Sequence, residues 1–365
     1  MALSHADLAD LARDEGDLRV TLCAETDDRA GDGQKTAIKL KNTRAALADA
    51  LAEAEIDAET ADAVVAPLDR WMEGRRPGPI RGAVAAFLSP EGGRVEEVAH
   101  VRREGAWAGR AFRLAPVWPD PERRIEAAAL VADEGGARLL RLRDGALEDV
   151  PAELPGSLED FLGPKEIEGS AGGRMNQPGR QGDAFGETHR QEQAEERDRY
   201  AGALARAAEA ALAGSGLPLV IVADEAMQGR IRAVTTYPDL CAATETRHPS
   251  SFDAETLAEA VAEAARPALE RRRAEAVERV EAAIGRGDPS SENPDEILTA
   301  AREGRVALLL FDPRPAPGDA ETRVAADETP LEDRVDEALR LALATGAELH
   351  AVSDPARPLR AVYRY

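Results

Sequence analysis

Two short, uninterrupted apolar segments constrain the fold of this chain most strongly. Residues 217–223 read LPLVIVA and residues 306–311 read VALLLF, and an aspartate follows each of them. Apolar segments of this length predict strands that are buried on both faces of a sheet, as in proteins that layer helices on strands. Both segments fall far short of the roughly 18 apolar residues that suggest a membrane-spanning helix.

The patterns around these two segments alternate between helix and strand. Helical spacing of apolar residues predicts helices at 36–55, 58–72 (with Asp57 as its N-cap), 187–213, 256–269, 271–284 and 294–302. Strands are predicted at 17–24, 82–88, 127–132, 138–142, 349–353 and 359–363. This alternation along the whole chain predicts an α/β fold class with three α/β units.

Breakers and charged segments suggest where these units meet. The sequence Trp-Pro-Asp-Pro at 118–121 interrupts the first series of elements, and a highly charged helix is predicted to begin at Arg271. We therefore predict an N-terminal domain at 1–122, a central domain at 123–268 and a C-terminal domain at 269–365.

Composition narrows the range of functions. The formal net charge is −23, with 42 arginines and four lysines, which argues against nonspecific nucleic-acid binding by the whole surface. Cys23 and Cys241 provide no disulfide framework, and the five histidines lack metal-ligand spacing, so no metal or other cofactor is expected. The acidic residues 1–10 do not resemble a secretory signal, and the cytoplasm is the expected location.

One basic segment stands out against this acidity. Between Gly33 and Ala48 the sequence contains four basic residues and no acidic one. We call Lys35, Lys39, Lys41 and Arg44 the basic island. Two interpretations stay open: these residues bind RNA, or they form a solvated helix face whose early lysines pair with nearby aspartates.

The most unusual segment is the glycine-rich loop at 163–186. Its centre, residues 169–182, reads GSAGGRMNQPGRQG and contains no acidic residue. A loop of this length within a compact domain is either functional or disordered. Glycines allow a backbone to approach a ligand closely, and Arg174 and Arg180 are suited to phosphate.

Several segments, in this order, resemble the bacterial archaeo-eukaryotic release factor family, the bacterial relatives of the eukaryotic and archaeal class 1 release factor and Pelota. They are QKTAIKLKN at 34–42, residues 128–143 with PGSL at 155–158, LPLVIVAD at 217–224 with TYPDL at 236–240, EILTAAREGRVALLL at 296–310, and AVYRY at 361–365. The resemblance covers most of the chain and rests on the order of these segments.

The resemblance implies a ribonuclease-H-like central domain and a C-terminal domain like the kink-turn-binding ribosomal proteins, as in Pelota. In release factors, a Gly-Gly-Gln loop before the long central helix positions the water that hydrolyses peptidyl-tRNA. Here the corresponding residues are Gly172, Gly173 and Arg174, so the glutamine is replaced, and Gln177 or Gln181 would have to substitute for it. The implied partners are the ribosome, ribosomal or transfer RNA, and a translational GTPase.

Three hypotheses follow from these observations. The first is a translation factor that binds the ribosome through the basic island, Arg174 and Arg180. The second is a peptidyl-tRNA hydrolase that uses Gly172, Gly173 and Gln177. The third is a protein-interaction module without an RNA partner, which the negative charge favours. No membrane partner is expected.

Overall fold

The structure is a computed structural model that describes residues 3, 5–26, 33–75, 82–118, 125–143, 145–163, 182–242, 245–246, 248–313, 321–324 and 331–365. Within these ranges only the backbone is described at 5–6, 33–34, 182–189, 321–324 and 331–332. The chain forms two compact units. The first combines Met1–Pro121 with Arg273–Tyr365, and the second is Glu122–Arg272.

The helices and strands follow in three series. The first is α1 (His5–Arg13), β1 (Glu15–Glu25), α2 (Gly33–Glu53), α3 (Ala58–Gly74), β2 (Ala83–Ser89), β3 (Gly92–Val98) and β4 (Gly105–Ala111). The second is β5 (Ala127–Asp133), β6 (Gly136–Arg143), β7 (Ala146–Asp149), α4 (Leu158–Leu162), α5 (Gly182–Leu212), β8 (Leu219–Val222) and α6 (Glu225–Val234). The third is α7 (Ala254–Arg286), β9 (Ser290–Ser291), α8 (Pro294–Arg302), β10 (Val306–Phe311), β11 (Glu321–Val324), α9 (Leu331–Ala344), β12 (Glu348–Ala351) and β13 (Leu359–Tyr363).

The first unit contains a five-stranded sheet with the order β11-β4-β1-β2-β3. Because side chains alternate along a strand, this sheet has two apolar faces. One face, which includes Val20 and Leu22, packs with helices α2 and α3. The other face, which includes Cys23 and Phe87, packs with residues of α1, α8 and α9.

The first and last segments of the chain therefore share one hydrophobic core. β11 pairs in parallel with β4, so a strand from the last segment completes the sheet of the first. A second sheet, β12-β10-β13-β9, belongs to the same unit. The division into three domains at 122 and 269 stays a prediction.

The second unit contains a four-stranded sheet with the order β7-β6-β5-β8. β5, β6 and β7 form an antiparallel meander, and β8 returns beside β5 in parallel. One face packs with α5 and α6, and the other packs with the first half of α7. This strand order is that of the ribonuclease-H-like fold that the resemblance implies, and the α/β class is confirmed.

One predicted helix boundary is wrong. The sequence predicts separate helices at 256–269 and 271–284, whereas the structure has a single helix, α7, across both. Pro267 lies inside α7, and the residues after it are mostly alanine, glutamate, arginine and leucine, which favour helix. The proline removes one backbone hydrogen bond without ending the helix.

Hydropathy of the described helices is low. None of them contains a stretch long and apolar enough to cross a membrane.

Candidate functional site

The glycine-rich loop begins and ends on defined secondary structure. α4 ends at Leu162, where Gly163 adopts a φ of 71° that favours glycine, and the helical backbone resumes at Gly182. Residues 164–181 lie between these points, outside the described residues. Gly172, Gly173, Arg174, Gln177 and Arg180 all belong to that segment, and their roles stay predictions.

The chain that leads into the loop is fixed by a capping box at the start of α4. The Asp160 amide donates to Ser157 Oγ at 3.0 Å, and Asp160 Oδ2 accepts from the Ser157 amide at 3.2 Å. The Ser157 hydroxyl also donates to Asp160 Oδ2 at 2.7 Å. The two hydrogen bonds that Asp160 Oδ2 accepts, first that of the Ser157 hydroxyl and then that of its amide, lower the pKa of Asp160.

Tyr200 of α5 ties the long helix to the same segment. Its side chain is buried, and its hydroxyl donates to the Gly156 carbonyl oxygen at 2.7 Å. Its ring lies 5.6 Å from that of Phe161, between centroids. No sequence motif indicated this hydrogen bond.

A cleft of about 800 Å³ opens beside α4 and α5, where the loop begins. It is lined by Glu134, Leu158, Glu159, Asp160, Leu162, Gly163, Gln193, Glu196 and Arg197. Four of these residues are acidic, and the single arginine, Arg197, already pairs with Glu134 at 2.5 Å (Nε to Oε1). We call the residues that line this cleft the loop root. Acidic side chains outnumber basic ones among them, so the cleft is unsuited to binding phosphate.

The basic island lies on α2 in the first unit, and its four residues divide into two pairs. Lys39 forms an ion pair with Glu104 and donates to the Glu25 carbonyl oxygen at 3.1 Å. Arg44 forms a two-pronged ion pair with Asp69, with nitrogen–oxygen distances of 3.2 and 2.9 Å.

The hydrogen bond to Asp69 raises the pKa of Arg44, consistent with a guanidinium committed to a structural pair. Lys35 and Lys41, in contrast, are exposed to solvent. The expected pairing of early lysines with the aspartates at 27, 28 and 32 falls outside the described residues. Among the residues that the structure describes, no acidic side chain pairs with these two lysines.

A second acid-free segment contains Arg75, Arg76 and Arg81. Arg75 pairs with Glu97 at 3.0 Å and lies over the Trp71 ring, 5.7 Å from its centroid. Arg76 and Arg81 lie outside the described residues.

Other chemistry finds little support in the described part of the chain. No group of three or more histidine, cysteine, aspartate or glutamate side chains there could hold a metal ion. Both cysteines are buried, and burial raises the pKa of Cys241 to about 11. His248 Nδ1 lies 2.8 Å from Ser250 Oγ, but the Ser250 amide also donates to that nitrogen, so the ring caps a turn.

Comparison with known families gives a match to the central part of the chain. Residues 129–305 match the model of bacterial archaeo-eukaryotic release factor family 3. The match begins in β5, includes the loop and α5–α7, and ends after α8. Comparison with curated proteins gives no significant match.

Comparison with solved structures returns release factor and Pelota proteins. The archaeal translation termination factor aRF1 is 13% identical, covering 100% of this chain and 99% of its own, with a TM-score of 0.25. Archaeoglobus fulgidus Pelota is 16% identical, covering 77% and 79%, with a TM-score of 0.26. A model of ribosome-bound archaeal Pelota and ABCE1 is 13% identical, covering 100% and 95%, with a TM-score of 0.39.

Proposed function

We propose that this chain is a ribosome-associated translation factor of the release or rescue type, because residues 129–305 match the model of bacterial archaeo-eukaryotic release factor family 3. The observation that carries this proposal is the position of the match. It spans the ribonuclease-H-like sheet, the fixed root of the glycine-rich loop and the long helix that follows. Sedimentation with ribosomes tests the proposal directly.

We propose that ribosomal or transfer RNA is the surface that this factor binds. Lys35 and Lys41 support this assignment because both are exposed and basic. Arg174 and Arg180 are proposed as further contacts from the loop. Lys39 and Arg44 are each already paired with a carboxylate, so neither is proposed as an RNA contact here.

Within this function, ribosome occupancy is favoured over peptidyl-tRNA hydrolysis. Arginine stands at position 174, where the family's loop has the glutamine, and a guanidinium is a poor group for orienting a neutral water. Occupying the ribosome without hydrolysis requires only that the loop fit its binding site on the ribosome. A translational GTPase is a proposed partner, on the resemblance alone.

Hydrolysis and occupancy are separated by a peptidyl-tRNA release assay on ribosome complexes. Under occupancy, the parent protein releases no peptide, and Arg174→Ala with Arg180→Ala weakens ribosome binding. Under hydrolysis, the parent releases peptide, and Gln177→Ala lowers turnover while binding persists. Gln181→Ala serves as the matched comparison for a shifted glutamine.

A protein-interaction module is the second candidate. The net charge of −23 and the acidic cleft at the loop root favour it. Under this alternative, the protein stays in the supernatant when ribosomes are pelleted at low salt. Pelleting that disappears as salt is raised contradicts it.

A further inference from the structure

The first turns of α2 carry an exposed face with a distinctive composition. Its members are Lys35, Ile38, Lys41, Asn42 and Ala45, all exposed, and we call them the outer face of α2. The opposite side of the helix, including Leu40 and Leu47, is buried in the core. Ile38 is 53% exposed, which is high for a large apolar side chain in the described chain.

The helical geometry places the two lysines on either side of this face. At about 100° per residue, Lys35 and Lys41 are about 120° apart around the axis and about 9 Å apart along it. Ile38, Asn42 and Ala45 fall in the arc between them. The face is thus a small crest of two apolar side chains and one amide side chain, flanked by two positive charges.

The charged side chains of α2 show how far the outer face of α2 extends along the helix. No acidic side chain among the described residues pairs with Lys35 or Lys41, whereas Lys39 and Arg44 are paired with Glu104 and Asp69. The exposed Asp49 and Glu53 bring negative charge back farther along the helix. A polyanion would therefore contact only the first three turns of α2.

We propose that the outer face of α2 docks on double-helical RNA, with the crest in the shallow minor groove. This inference rests on the proposed function and specifies the RNA structure that the chain recognises. Lys35 and Lys41 contact phosphates on the two sides of the groove. The Asn42 amide, which both donates and accepts, lies where it can bond ribose 2′-hydroxyls, and Ile38 packs against the sugars.

Composition of the face argues against other occupants. Unpaired RNA bases are bound mainly by stacking on aromatic side chains, and the outer face contains none. A single exposed isoleucine offers too little apolar surface for the desolvated centre of a stable protein interface. In a chain of charge −23, an exposed face that carries two lysines and no acidic residue complements the phosphate backbone.

The test measures binding of the full chain to a labelled RNA hairpin of about 16 base pairs, a length that exposes successive minor grooves. A DNA hairpin and a single-stranded RNA of matching sequence are the comparison probes. The variants are Lys35→Gln, Lys41→Gln and Asn42→Ala. Lys39→Gln is the matched control, because it removes the same charge from a lysine that is already paired.

We expect the RNA hairpin to bind more tightly than either comparison probe. Lys35→Gln and Lys41→Gln should each lower the slope of log affinity against log salt by about 1, because each removes one phosphate contact. Lys39→Gln should leave that slope at the parent value. Asn42→Ala should reduce the preference for the RNA hairpin over the DNA hairpin.

Two results overturn the inference while the proposed function stands. One is a parent protein that binds ribosomes but prefers single-stranded RNA to the hairpin, or binds neither. The other is a slope that Lys35→Gln and Lys41→Gln leave unchanged. Failure of the parent protein to bind ribosomes rejects the proposed function itself.

Discussion

Asp336 of α9 connects the last segment of the chain to the first, and its substitution by alanine tests their shared core. The residue is 5% exposed, and its Oδ1 accepts from the amides of Leu114 and Ala115 at 2.8 and 2.6 Å. Neighbouring residues of α9 extend the contact: Asp333 pairs with Arg113, and Arg340 donates to the Ala12 carbonyl oxygen at 3.0 Å.

The magnitude follows from the two amides that Asp336→Ala leaves without an acceptor. An unsatisfied buried donor costs about 1–3 kcal/mol, so the two together cost about 2–6 kcal/mol. The Ala115 amide is only partly buried, which lowers the expectation to about 3 kcal/mol. Asp336→Asn keeps an oxygen acceptor for both amides and should cost about 1 kcal/mol or less.

The assay is urea unfolding followed by tryptophan fluorescence. Trp71, Trp107 and Trp118 all belong to the first unit, so their emission reports that unit's unfolding even if the second unfolds separately. We expect Asp336→Ala to unfold at clearly lower urea than Asp336→Asn. Equal midpoints for Asp336→Ala and the parent protein would refute the reasoning.

Comparing the parent protein with Asp336→Asn tests how stability depends on pH, and the structure predicts the sign of this dependence. Burial raises the pKa of Asp336, against the opposing effects of Arg113, the two amides and Arg340. A carboxyl group whose pKa is raised on folding contributes stability that is present below its unfolded pKa and lost as pH rises through the folded one. The free energy of unfolding of the parent should therefore fall relative to Asp336→Asn as pH rises above about 4. If the free energy of unfolding of the parent instead rises relative to that of Asp336→Asn over this pH range, the predicted sign is wrong.

Two further predictions concern the second unit and the thiols. Tyr200→Phe removes the hydroxyl that donates to the Gly156 carbonyl oxygen, so it should lower the free energy of unfolding by about 0.5–1.5 kcal/mol. Amide hydrogen exchange in α4 should also become faster. Unchanged exchange in α4 would show that Tyr200 does not anchor this segment. Cys23 and Cys241 are both buried, and burial raises the pKa of each thiol. A thiol reagent at pH 8 should therefore label them only in denaturant. Rapid labelling of the native protein would contradict their burial.

Elements with strong local signals were predictable from the sequence. The helix at 294–302 and the strand at 306–311 have their predicted bounds, because Asn293 and Pro294 start the helix and Gly304 follows its end. Asp57 caps α3 as predicted, accepting from the Thr60 amide at 2.9 Å. Each of these signals lies within a few residues of the feature that it specifies.

Long-range pairing could not be predicted in the same way. The parallel pairing of β11 with β4 joins residues near 321 to residues near 105, and no local pattern encodes it. The same limit applies to the site. The basic island was visible in the sequence, but Glu104 and Asp69, which neutralise Lys39 and Arg44, are brought to α2 only by the fold.

Ribosome binding as a function of salt tests the central proposal most directly. With Lys35, Lys41, Arg174 and Arg180 on four phosphates, affinity measured by sedimentation should fall by about a hundredfold between about 50 and 200 mM salt. Removing Lys35 and Lys41 together should reduce that loss to about tenfold. A protein that does not sediment with ribosomes at low salt, or whose affinity is independent of salt, contradicts an RNA-binding translation factor.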